Sequence, residues 1–372
     1  MTAVARRFAA VVATLALFVV VGAASAWADN VRDLEWHLAA LDIPAAHRIS
    51  QGEGVVVGLP DTGVDTKTAE LAGAVLPGKE FGEGAHGDGH FDPIGHGTAM
   101  AGLIAGRGLP NGGGVLGIAP KSVILPIQTM QGDLGVGENL ADGINWAVDQ
   151  GVKVICIAGG TSEDSTVRKA VERALTADIV IVAAVGNRPK TTSVAYPARL
   201  PGVLAVGGTD RDGNRAAVSV TGPEVVVVAP AVDVVSTSLS GTHAAGTGTS
   251  DATAIVSGVA ALVRSKYPRL SGPEVVRRIA LTATDNGKPG RDEEYGYGLV
   301  NPVAALTAEV PPEPSVTATA STSAAQSSAP EPATGNSGLW IALAVLVGAA
   351  GALAIWRFVR SAAGDPRGRR GG

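Results

Sequence analysis

A single cysteine in 372 residues excludes an intrachain disulfide. That residue, Cys156, lies in "VKVICIAGG", which reads as a buried strand, and nothing next to it supplies the electropositive, partly exposed setting a reactive thiol needs. Positive charge is scarce in the bulk of the chain. Of 29 Lys and Arg, seven fall in the terminal segments, leaving 22 against 33 of the 34 acids. A surface of about −11 argues against nucleic acid or anionic lipid as its partner. Residues 309–338, "EVPPEPSVTATASTSAAQSSAPEPATGNSG", have almost no apolar bulk and cannot bury enough surface to fold, so they read as a stalk. Residues 339–356, "LWIALAVLVGAAGALAIW", have no charge at all.

That last absence is informative. A Trp near each edge and the following Arg357, Arg360, Arg367, Arg369 and Arg370 predict a transmembrane helix from Leu339 to Trp356 with a basic cytoplasmic tail, residues 357–372. At the other end, Arg6 and Arg7 precede "FAAVVATLALFVVVGAA" and the small residues of "ASAWA", the pattern of a signal peptide over Met1 to Ala28. An uncleaved anchor helix is the alternative, and both readings export the body of the chain. The expected location is the cell membrane, single-pass, with the domain outside.

Between these ends, "GVVVGL", "SVILPIQ", "VKVICIA", "DIVIVAAV", "GVLAVGG" and "EVVVVAP" are short apolar runs rich in Val and Ile, alternating with helical stretches around Ala99 to Ile104, Asn139 to Val148 and Asp164 to Thr176. Nearly continuous hydrophobicity marks strands buried on both faces. The prediction is a three-layer αβα domain with a mostly parallel central sheet over residues 55–308, preceded by an N-terminal extension, 29–54, too short for a folded pro-domain and expected to pack on the domain.

In such sheets, functional groups gather at the carboxyl ends of the strands. "VVVGLPDTGVD" delivers Asp61 there, "DPIGHGTAMAGLIAG" puts His96 at a helix start, and "GTGTSDATAIVSG" does the same for Ser250. Each taken singly has a bland reading: an Asp-Thr-Gly turn, a Gly-flanked His, a helix cap at Thr249 or Ser250. Together they suggest a nucleophilic triad, because serine needs a base to take its proton and the base needs a carboxylate to fix its tautomer. The helix dipole would hold His96 neutral, as a base requires. No G-x-S-x-G elbow surrounds Ser250, which argues against an α/β-hydrolase esterase or lipase.

At these residues the sequence resembles the subtilisin-like serine proteases, with "DTGVD", "GHGTAMAGLIAG" and "GTSDATAIVSGVAAL" matching the family's three active-site motifs. The resemblance implies Asp61 as orienting acid, His96 as base and Ser250 as nucleophile, and "VAAVGN" resembles the segment carrying the oxyanion-hole asparagine, here Asn187. It also implies that Ala158, Gly159 and Gly160 line the substrate cleft, where the family usually has a Ser-Leu-Gly run. The ordering of signal peptide, protease domain, stalk, membrane helix and basic tail resembles the mycosins, proteases of type VII secretion systems, although mycosins commonly carry disulfides that one cysteine forbids.

Three positions depart from the family: Asp251, Ala254 and Ile255 stand where an apolar residue, Pro and His are usual or frequent. Asp251 would favour protonated His96 and oppose an oxyanion unless it faces helix amides or a basic partner. The implied activity is a membrane-anchored serine endopeptidase acting on polypeptide, requiring no cofactor. Its rival is a non-catalytic component of a secretion complex with the same fold. His86 and His90 in "HGDGHFDPIGH" read better as a solvated loop than as a metal site, and no acidic loop has the spacing of a calcium site, although the family often binds calcium.

Overall fold

A computed structural model describes residues 31–130 and 137–311; the signal segment, the tail, the Leu339 to Trp356 span and nearly all of the stalk lie outside them. Among the described residues no helix is long and apolar enough to cross a membrane.

The apolar runs form one seven-stranded sheet: β1 (Val56–Asp61), β2 (Lys79–Glu80), β3 (Val123–Gln128), β4 (Val154–Ile157), β5 (Val180–Ala184), β6 (Leu204–Thr209) and β7 (Val227–Pro230). Their order is β2-β3-β1-β4-β5-β6-β7, and every neighbouring pair is parallel. Successive residues feed opposite cores, as the two-residue period of a strand demands. Val154 and Cys156 join one apolar cluster, while Ile155 and Ile157 join the other.

The first cluster is covered by α3 (His96–Ala105) and α6 (Thr249–Lys266), the second by α4 (Gly137–Asp149) and α5 (Ser165–Thr176), completing the three layers. The Asp164 carboxylate caps α5 by accepting from Thr166 N and Val167 N. The α6 helix is buried almost throughout, and its interior hydroxyls are satisfied by back-bonding: Thr253 Oγ1 donates to Thr249 O at 2.7 Å and Ser257 Oγ to Thr253 O at 2.8 Å.

Two features were not foreseen. An antiparallel hairpin, β8 (Val234–Thr237) and β9 (His243–Gly246), leads into α6 and buttresses α3, with Ser236 Oγ donating to Ala99 O and Thr237 Oγ1 to Thr98 O, both at 2.7 Å. A Cβ at Gly102 would collide with those two hydroxyls, so this glycine sets how closely helix and hairpin approach. The start of α6 also differs from expectation. Gly248 is the N-cap, and neither Thr249 nor Ser250 caps with its side chain; the Thr249 hydroxyl is already committed to Asn187 Oδ1.

The N-terminal segment packs as expected. Leu38, Leu41, Ile43 and Ala46, from α1 (Trp36–Ala40), α2 (Ile43–His47) and their connection, enter the first core cluster. So do Val275 and Ile279 of α7 (Gly272–Leu281) and Leu306 of α8 (Pro302–Thr307). Ser50 Oγ donates to Leu262 O at 3.0 Å, and Trp36 Nε1 to Asp233 O at 3.1 Å. Glu35 is buried too, accepting from Arg32 Nε at 2.9 Å and Leu116 N at 3.0 Å. Burial pushes its carboxyl up to about 8 despite the pull of Arg32.

Candidate active site

Strand order reverses at β1, with β3 on one side and β4 on the other, and an open parallel sheet forms its crevice at the carboxyl ends of the strands there. Asp61 is the last residue of β1, His96 the first of α3, Ser250 the second of α6, and Asn187 lies three residues beyond β5. Sheet topology thus delivers four residues, spread over 190 positions of sequence, to one crevice.

The Asp61 carboxylate is wholly buried and lies 2.7 Å from His96 Nδ1 through Oδ1, which also accepts from Thr62 N at 2.8 Å. No described group hydrogen-bonds to Asp61 Oδ2. His96 keeps 32% of its side-chain surface open, facing a cleft that Ser250 and Asn187 also line. Asn187 Oδ1 accepts from Thr249 N at 2.9 Å and from Thr249 Oγ1 at 3.1 Å, which fixes the amide with Nδ2 on the opposite side. A Cβ placed on Gly248 would lie 3.0 Å from Ser250 Oγ and 3.2 Å from Asn187 Nδ2. The missing side chain therefore leaves a space flanked by the serine hydroxyl and the asparagine amide. As the second residue of α6, Ser250 also has a backbone N–H without an intrahelical acceptor.

Electrostatics at His96 run against the expectation of a neutral ring. Asp61 beside it holds the imidazole up at about 9, with Asp251 and Asp92 adding to the effect and burial opposing it. A helix N-terminus acts as roughly half a charge, whereas Asp61 is a full charge at hydrogen-bond distance, so the carboxylate prevails. Asp251 is buried, and burial pushes its carboxyl up to about 7 against the pull of His96 and its own backbone N–H. Its oxygens pack against Gly246 of β9, outside the cleft lining.

The sequence profile of the Subtilase family matches residues 52–298. The chain belongs to the subtilase family. It is 40% identical over 262 residues to Subtilisin DY of Bacillus licheniformis, covering 68% of this chain and 92% of that protein. Among solved structures it resembles MycP1 with its N-terminal propeptide removed, at a TM-score of 0.68 and 30% identity over 75% of this chain and 98% of that one. It also resembles the MycP3 protease from the type VII (ESX-3) secretion system, at a TM-score of 0.64 and 32% identity over 74% of this chain and 88% of that one. With such relatives the subtilase is a serine endopeptidase, and its structural neighbours are mycosins.

The cleft of the subtilase has a volume of about 530 Å³. Ala158, Gly159 and Gly160 line it, together with Met130, Ile94 and Tyr196. At its rim Glu163 is shared by Arg168 at 3.2 Å and Arg199 at 3.0 Å. Among the described residues no three His, Cys, Asp or Glu side chains converge as a metal site. His90 Nε2 lies 2.8 Å from Leu76 O and its Nδ1 3.2 Å from Asp88. Cys156 is buried, which pushes its thiol up to about 12 and leaves it inert.

Sequence reasoning passed over three residues of the subtilase site. Thr249, read only as a possible cap, orients Asn187; Thr62, beside Asp61, carries a buried hydroxyl; and Asp92 anchors the loop before His96. An Asp-Pro pair in a Gly-rich loop reads as a turn, and only its distance of four residues from His96 hinted at more.

Proposed function

We propose that the enzyme cleaves exported polypeptide beside a membrane, using Asp61, His96 and Ser250 as a triad. The observation that carries this reading is the 2.7 Å Asp61–His96 pair opening onto the cleft that Ser250 and Asn187 share. Ser250 Oγ attacks the scissile carbonyl carbon while His96 Nε2 takes its proton; Asp61 holds the proton on Nδ1 and stabilises the imidazolium that forms. The carbonyl oxygen, now anionic, sits in the space beside Gly248 that Asn187 Nδ2 flanks, with the Ser250 N–H of the helix start, which has no intrahelical acceptor, as its second donor. The tetrahedral intermediate collapses, the C–N bond breaks, and the amine leaves with the proton from His96. Water then attacks the acyl carbon while His96 takes its proton, the bond to Ser250 Oγ breaks as His96 returns that proton to the serine, and the carboxylic acid product leaves. Ala158, Gly159 and Gly160 offer a backbone edge to an extended substrate.

The finer placement rests on the chain outside the folded domain. The charge-free run Leu339 to Trp356 and its arginine flank support a single membrane span with the protease outside and the tail in the cytoplasm. The likeness to the MycP3 protease from a type VII secretion system supports work beside such a system. No cofactor enters the chemistry. The test is to treat the full chain, in membranes, with a fluorophosphonate that acylates activated serines, alongside Ser250→Ala. Labelling of the parent alone supports the triad. A folded parent that stays unlabelled from pH 6 to 10 overturns it in favour of a docking component built on the same fold.

A further inference from the structure

The carboxylate of Asp92 is 4% exposed and accepts five hydrogen bonds. Its Oδ2 takes Thr98 N at 2.9 Å and Thr98 Oγ1 at 2.7 Å. Since Thr98 is the third residue of α3, this half of the carboxylate does the work of an N-cap, which Gly95 at the cap position cannot do for want of a side chain. Capping needs no more than that. The other oxygen, Oδ1, is committed elsewhere: to Ile94 N at 3.0 Å, to Gly95 N at 2.8 Å, and to the hydroxyl of Thr62 at 2.8 Å. Thr62 follows Asp61 at the end of β1 and donates its own N–H to Asp61 Oδ1, while its hydroxyl accepts from Gly97 N at 2.9 Å. One buried carboxylate therefore holds the residue after Asp61, the two residues before His96 and the helix turn after it.

We propose that Asp92 is a positioning residue for catalysis, setting the distance and angle at which His96 meets Asp61 by tying the end of β1 to the start of α3. The inference rests on reading His96 as the base. A hydrogen bond of 2.7 Å between two groups on different elements survives thermal motion only if those elements are fixed to each other, and a misplacement of about 1 Å costs on the order of 10²-fold in rate. Asparagine at 92 could keep the Oδ1 set but would turn an N–H donor toward Thr98 N, so the helix turn after His96 would be released while the loop before it stayed held. The charge has a second effect. Asp61, Asp251 and Asp92 are the carboxylates that hold the proton on His96, so removing one lowers the pH at which the base becomes free.

The experiment measures fluorophosphonate acylation of the full chain in membranes, normalised to folded protein, for the parent, Asp92→Asn, Asp92→Ala and Thr62→Val. The last variant leaves Asp92 in place and cuts its link to β1, together with the bond that the Thr62 hydroxyl accepts from Gly97 N, so it stays informative where an Asp92 variant fails to fold. The expected result is a maximal acylation rate lowered about 10-fold in Asp92→Asn and about 100-fold in Asp92→Ala, reagent affinity within about two-fold of the parent, and a fall of intermediate size in Thr62→Val. The acid limb of the Asp92→Asn profile moves to lower pH. Variants that lose thermal stability but acylate at the parent rate, with an unmoved acid limb, reduce Asp92 to a helix cap and overturn the proposal. A parent that does not label fails the base reading itself, and the positioning role falls with it.

Discussion

Alanine at Gly248 is the sharpest test of where the developing oxyanion sits. Gly248 has φ 178 and ψ 160, extended backbone that any residue adopts, so the substitution introduces no backbone strain. As the N-cap of α6 it loses no side-chain cap, and the cost to stability should stay within about 1 kcal/mol. The added methyl, however, would stand 3.0 Å from Ser250 Oγ and 3.2 Å from Asn187 Nδ2, filling the space in which the proposed mechanism has the hydroxyl meet the carbonyl carbon and the amide meet its oxygen. Denying the oxygen one donor costs about 2.7–4 kcal/mol, or 10²–10³ in kcat. Peptide hydrolysis should therefore lose two to three orders of magnitude in kcat, with KM changing little and the melting temperature nearly kept. A double-mutant cycle sharpens the point. If the methyl acts by emptying the oxyanion site, Asn187→Ala adds little in the Gly248→Ala background, because both remove the same interaction. A Gly248→Ala enzyme within about three-fold of the parent kcat would refute this geometry and put the oxyanion elsewhere.

Other outcomes stem from the electrostatics and packing. With His96 held up at about 9 by Asp61, the acid limb of kcat/KM should lie in the alkaline range. Asp251→Asn should lower that limb by no more than about one pH unit, since Asp61 is the larger cause; an unchanged limb would clear Asp251 of any hold on the base. Glu35 carries its proton in the folded state up to about 8, while an unfolded chain releases it near 4.5, so stability falls as pH climbs through that window. Thermal melts of Glu35→Gln should show a shallower decline between pH 5 and 8 than the parent, and parallel curves would contradict the burial argument. Thr249→Val removes one of the two donors that orient Asn187 and should cost about 1 kcal/mol, a three- to ten-fold fall in kcat, with KM unchanged.

The strands were legible because their signal is local and redundant. In "VKVICIA" both faces are apolar, so an error of a residue or two at each end does not disturb the assignment to a buried parallel strand, here Val154–Ile157. The four candidate site residues were singled out for a different reason, their place in stretches that resemble family motifs, and the fold brings them to one crevice. What escaped were properties that depend on neighbours distant in sequence. The charge on His96 is set by Asp61, 35 positions away, and local reasoning from the helix dipole gave the wrong sign. The β8–β9 hairpin is held by hydroxyl bonds to α3, 137 and 139 residues earlier, which no periodicity announces. Thr249 looks like a cap because its partner, Asn187, lies 62 residues back.

The burial of α6 ties the fate of the nucleophile to that of the whole domain. This helix packs against β4, β5, β6 and β7 as well as α3, and its residues from Thr249 through Arg264 are buried apart from Ser250. A segment so placed has no low-energy route to local opening, because freeing one turn of it strips contacts from most of the sheet. Its amides should exchange with solvent only through global unfolding. Heat should then abolish activity and tertiary structure in a single cooperative event, with no temperature range in which a folded protein has lost its serine.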